Sequence, residues 1–111
     1  MKTVPGVIFM TEPAEPYRPV LLGGDVEGIF GFSAADFLKG RVRFVDLVLS
    51  EDLAKVNDAV HAALAAGKPY RVDLRFRTRS GETVWLMEAA CGIGGKPGKP
   101  QYLSGCLLNI T

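Results

Sequence analysis

Between Ser50 and Arg77 the apolar residues change their spacing, and that change restricts the fold more than any other feature of the chain. In SEDLAKVNDAVHAALAAG, Leu53, Val56, Val60 and Leu64 recur every three or four positions, which places them on one face of a helix. Ser50 is the expected N-cap, Glu51 and Asp52 stand where the positive end of the helix dipole attracts acids, and Gly67 is the expected stop. In YRVDLRFRTR the period drops to two. Tyr70, Val72, Leu74 and Phe76 alternate with Arg71, Asp73, Arg75 and Arg77, the pattern of a strand with one buried and one wet face. A helix with one side to bury, followed at once by a strand with one side to bury, predicts a helix lying on a sheet.

The remaining segments supply the rest of that sheet. After the Ser80-Gly81 turn, ETVWLMEAACGI carries apolar side chains at consecutive positions Val84, Trp85, Leu86 and Met87, so both its faces are covered. The last strand, YLSGCLLNI, follows the GGKPGKP turn and is likewise apolar on both faces. Upstream, VIFM after Pro5-Gly6 and YRPVLL, weakened by Pro19, predict two opening strands closed off by Gly23-Gly24. Asp25 is placed to cap a short helix that stops at Gly31, and Ser33 to cap AADFLK before Gly40. The fold class expected is α+β in a single domain: opening strands over about 6–22, a helical insert over about 25–66 and a three-stranded meander over about 70–111, forming one five-stranded antiparallel sheet with helices on one face.

Composition removes several classes of function. The 111 residues suffice for one core, and a net charge of +1 with 23% charged residues gives no global field for nucleic acid or a membrane. No apolar run approaches the roughly 20 residues that span a bilayer, and the run in MKTVPGVIFMTEP is too short for a signal peptide, so a cytoplasmic location is expected. Cys91 and Cys106 lack metal-ligand spacing and read as small buried thiols, so no metal site is expected. His61, the sole histidine, lies one step off the apolar stripe and reads as a surface residue; no Ser or Cys is placed beside it by the sequence, and no catalysis is expected. Arg71, Arg75, Arg77 and Arg79 crowd into nine residues. On an edge strand such charge deters unwanted pairing, so a solvated face is expected there rather than an anion site.

Four segments, PGVIFM, GIFGFSAADFLKG, FVDLVLSEDLAKVNDAVHAALAAGKPYRVDLRFRTRSGETVWL and GCLLNIT, follow one another over nearly the whole chain. Together they resemble a PAS domain with its C-terminal PAC portion, of the sort found in bacterial sensory proteins. Asn109 stands where the family usually has Asp before Ile-Thr, and Leu49-Ser50 where it often has His-Pro. The resemblance implies a pocket between the concave sheet face and the helical insert, with Phe30, Phe37, Leu38, Phe44, Val56, Val60, Leu74 and Phe76 as candidate walls and an unidentified small molecule as its occupant. The bland alternative is that these side chains fill their own core, since well-packed interiors leave few voids.

The same resemblance bears on cofactors and partners. Flavin-binding photosensors of the superfamily carry a reactive cysteine within Gly-Arg-Asn-Cys-Arg-Phe, and the matching region here, Gly40-Arg41-Val42-Arg43-Phe44, has none. Haem-binding relatives place their axial histidine near the position of Val56, and His61 lies too far along the helix. Neither cofactor is therefore expected. Helices cover only one sheet face, so Trp85, Leu86, Met87 and Leu107 are candidates for the opposite one, which in the family packs on a flanking helix or on a second copy of the domain. A homodimer through that outer face is expected, with no nucleic-acid or membrane partner. In such proteins the final strand leads into an output module, commonly a histidine kinase, a diguanylate cyclase or a chemotaxis receptor. A chain stopping at Thr111 thus looks like an excised, non-catalytic sensor, with a ligand-free dimerisation module as the alternative role.

Overall fold

The structure, a computed structural model, describes residues 6–111; the expectations on Met1 to Pro5, a leader-free start and a Pro5-Gly6 lead-in, lie outside the described residues. β1 (Gly6–Thr11) and β2 (Pro19–Gly24) form the opening hairpin. The second strand begins two residues later than Tyr17 because the loop closes on itself: the Glu12 amide donates to the Arg18 carbonyl at 2.9 Å, and Tyr17, at φ 56°, donates its amide to the Ala14 carbonyl at 2.7 Å. Gly23 and Gly24 belong to the strand, opposite Ile8 and Val7.

Local capping chemistry sets the next two helices. α1 (Val26–Phe30) starts where the Asp25 carboxylate accepts from the Gly28 amide and ends at left-handed Gly31; α2 (Ala34–Leu38) starts with a reciprocal Ser33–Asp36 capping box. A further single turn, α3 (Phe44–Leu47), carries no side-chain cap and was not expected from the sequence. Tertiary packing holds it: the Phe44 ring stacks on Phe37, with centroids 4.1 Å apart and planes 9° from parallel.

α4 (Ser50–Ala66) buries Val56, Val60 and Ala63, with Leu53 and Leu64 half-buried at the margins of the stripe. Its N-cap is Leu49, not Ser50. The correction has a physical cause, because Val48 and Leu49 must stay extended to run along β3 (Tyr70–Arg77): Val48 bridges Phe76, and the Leu49 amide donates to the Arg75 carbonyl at 3.1 Å. At the other end left-handed Gly67 returns its amide to the last turn, and Lys68 reaches the Ala63 carbonyl, closing the helix in the manner of a Schellman motif.

β3, β4 (Thr83–Ile93) and β5 (Tyr102–Asn109) complete one antiparallel sheet in the order β2-β1-β5-β4-β3. The helical insert carries the chain across the inner face from the β2 edge to the β3 edge. On that face Phe30, fully buried, meets Phe37, Phe44 and Phe76 edge-on at 5.2–5.5 Å. Gly105 keeps β4 and β5 close, since a Cβ there would stand 2.1 Å from the Ala89 carbonyl oxygen. No helix among the described residues is long and apolar enough to cross a membrane.

Candidate functional site

Between the inner sheet face and the insert lies a cavity of about 50 Å³. Phe44, Val45 and Val48 form one wall, Leu53, Val56 and Val60 of α4 a second, and Leu74 and Phe76 of β3 a third. Phe9 of β1 with Leu103 and Leu107 of β5 makes the floor. Five of the eight side chains expected around a pocket therefore do line it: Phe44, Val56, Val60, Leu74 and Phe76. Phe30 and Phe37 do not. They stand one layer behind, buttressing Phe44 and Phe76, while Leu38 is half-buried at the end of α2 and away from the cavity.

One corner of the cavity is polar and was missed by the sequence reading. Thr11, Tyr17, Tyr70 and Glu88 converge there from β1, the β1–β2 loop, β3 and β4. Tyr70 donates its hydroxyl proton to Glu88, and Tyr17 donates to Asn57 Oδ1 on α4 at 2.8 Å. Burial pushes the Glu88 carboxyl above the usual carboxylate range, against the opposing pull of the Tyr70 hydroxyl. Burial, with Glu15 and Glu88 nearby, pushes Tyr17 up to about 12, and Tyr70 is raised for the same leading reason. The signal for Glu88 was present: it shares strand parity with buried Leu86 and interrupts an apolar strand.

A carboxyl whose folded value is raised is more easily protonated in the folded state, so the native form binds the extra proton between the unfolded and folded values. Stability is then expected to fall as pH rises from about 4.5 through the folded value of Glu88. Glu88→Gln should remove that fall, which urea titrations across the range will measure; an unchanged slope would mean that Glu88 is not the group responsible.

The sequence profile of the PAS fold matches residues 20–107. The chain belongs to the PAS family. It is 28% identical over 106 residues to the methyl sulfide methyltransferase-associated sensor of Methanosarcina acetivorans, a match covering 95% of this chain and 11% of that protein. The chain thus spans about a ninth of that relative's length. Among solved structures it is similar to the N-terminal domain of a diguanylate cyclase with PAS/PAC sensor from Marinobacter aquaeolei, at TM-score 0.75 and 16% identity over 95% of this chain and 94% of that one. It is also similar to the PAS-B domain of Drosophila melanogaster Cycle with bound glycerol, at TM-score 0.78 and 12% identity over 94% and 99%.

In this PAS domain the outer sheet face differs from expectation at two of four positions. Trp85 and Met87 point outward, whereas Leu86 is fully buried and Leu107 nearly so. Strand register explains the correction, because Leu86 lies opposite Leu74 and Leu107 opposite Glu88, all on the inner face. Ile8, 58% exposed, Leu108 and Leu21 complete the outward apolar surface with Trp85. Cys91 and Cys106 sit half-buried on that same face as free thiols rather than in the core, and His61 is exposed.

Arg75 is not simply solvated. The buried Asp52 carboxylate accepts from its amide at 2.8 Å and from its guanidinium at 2.8 and 3.0 Å, and the guanidinium lies over the Trp85 ring at 5.2 Å. The Arg75 guanidinium holds Asp52 below the usual carboxylate range. Acid placement at the α4 start therefore does more than offset the dipole: it ties the helix to the sheet edge. At the exit, Thr111 Oγ1 accepts from the Trp85 amide at 2.9 Å and Asn109 Oδ1 accepts from the Thr111 amide at 3.0 Å.

Proposed function

We propose that this PAS domain is the sensory input of a longer signal-transduction protein, cytoplasmic and of the two-component or cyclase type, in which a small molecule in the cavity controls an output module after Thr111. The cavity carries this reading: it lies where β5 and α4 can both feel an occupant, and β5 presents Leu103 and Leu107 to it while presenting Leu108 to the outer face. An occupant that prefers one spacing of β5 and α4 shifts the balance between two arrangements of the outer face and the exit at Thr111. The cavity lining holds no His and no Cys, which supports a reading without haem or a flavin adduct.

A second reading, a ligand-free dimerisation module, is favoured by one observation. Ligand pockets commonly measure about 300–1,000 Å³, well above the 50 Å³ found here. Native mass spectrometry with an absorption spectrum separates the two. The sensor reading expects a dimer carrying extra mass that disappears on denaturation; a clean dimer without added mass supports the second, and visible absorbance would refute the exclusion of haem and flavin.

Both readings include a homodimer through the outer face, where exposed apolar residues from four strands adjoin. Trp85→Arg replaces the largest side chain of that surface with a charge and is expected to weaken self-association by about tenfold or more in sedimentation, with the fold intact. A wild-type chain that sediments as a monomer at tens of micromolar would contradict the dimer.

A further inference from the structure

With Glu88 ionised, the polar corner of the cavity offers acceptors and no free donor. The Thr11 hydroxyl donates to the Glu12 carbonyl at 3.0 Å, the Tyr17 hydroxyl to Asn57 and the Tyr70 hydroxyl to Glu88. Asn57 is held in that orientation because its amide group donates to Glu15 Oε2 at 3.1 Å. Each hydroxyl proton is thus committed within the protein, which leaves the oxygens of these cavity-lining residues as acceptors. Glu88 accepts from Tyr70 through Oε2, while its other oxygen accepts no hydrogen bond among the described residues. Among the described residues, no Lys, Arg or His stands in the lining beside Glu88.

We propose that the cavity recognises a small organic ammonium ion, with a short apolar body against Val56, Val60 and Leu74 and its protonated amine donating to Glu88 and the neighbouring tyrosine oxygens. The proposal rests on the reading of this cavity as the sensing site and names its chemistry. An ammonium group brings donors and no acceptor, the complement of what the corner presents. Its positive charge favours the ionised form of Glu88, which burial among uncharged side chains disfavours, and the rings of Phe9, Phe44 and Phe76 add aromatic groups that attract cations. A carboxylate or phosphate ligand would meet a like charge with no donor to receive it. Size narrows the class further, because a cavity of 50 Å³ holds only a handful of non-hydrogen atoms without rearrangement.

Isosteric probes test the class directly. Amide NMR spectra of the chain would be recorded with n-propylamine, 1-propanol or propionate, at about pH 8, where an alkylamine is fully protonated. Propylamine is expected to shift the amides of Val60, Tyr70 and Glu88 saturably, with a dissociation constant of order millimolar as befits so small a ligand. Propanol should bind at least about tenfold more weakly and propionate not at all. Glu88→Gln should weaken propylamine by about tenfold or more and leave propanol unchanged, which separates lost recognition from lost folding. Propanol or propionate binding as well as the amine would overturn the ammonium class while leaving a ligand-taking cavity in place. Absence of saturable shifts at these residues with all three probes would overturn both the class and the sensing-cavity reading.

Discussion

Replacing Phe30 with alanine is expected to remove about 3–5 kcal/mol of stability. The side chain is fully buried and meets three other rings, Phe37, Phe44 and Phe76, within 5.5 Å, so truncation loses both its transfer free energy and its packing partners. Against a total of about 5–15 kcal/mol for a domain, that loss takes much of the margin. The consequence reaches the cavity, because Phe44 and Phe76 are two of its walls and Phe30 stands behind both. Phe30→Leu, which keeps most of the volume, should cost much less. Guanidinium unfolding of the three proteins provides the comparison; a Phe30→Ala loss below about 1 kcal/mol would mean that the insert does not pack as described.

Asp52→Ala carries the second large effect, about 2–3 kcal/mol. It removes the acceptor for three hydrogen bonds from Arg75 and leaves a backbone amide of the β3 edge without a partner. The cost stays below that of a fully buried pair because the Arg75 side chain is 31% exposed and can turn to Glu51, 3.5 Å away, or to water. The pH dependence has a definite sign. Asp52 titrates lower in the folded state, so its contribution is complete above the unfolded value of about 4 and is lost as pH falls through the folded one. Asp52→Ala should flatten the stability profile in that acid range, whereas Asp52→Asn keeps an acceptor for the Arg75 amide and isolates the charge.

Where the chemistry is local, the sequence was a sufficient guide. Asp25, Ser33 and Gly67 act on groups within a few residues, and the face of α4 and the parity of β3 follow from spacing alone. Position 50 shows the limit: a serine ahead of two acids is a sound cap signal, but the edge of β3 claims Val48 and Leu49 as extended partners and Asp52 as an acceptor. α3 was illegible because it depends on Phe37, outside its own segment. For β4 and β5, apolar on both sides, composition cannot reveal which side is which. Only the register Leu74↔Leu86 and Glu88↔Leu107 assigns it, and that turned Leu86 and Leu107 inward from the face expected for them. The polar corner was illegible for a related reason, since its four side chains come from four separate segments.

The central claim is that the space between α4 and the sheet accepts an occupant. Xenon, which enters apolar cavities without needing a polar handle, tests this most directly when added under pressure while amide and methyl NMR spectra of the chain are followed. Saturable shifts concentrated at Val56, Val60, Leu74 and Leu103 are the predicted result. Uniform, unsaturable drifts across the sequence, no larger at these four residues than at exposed His61, would show a filled core and contradict the sensor account.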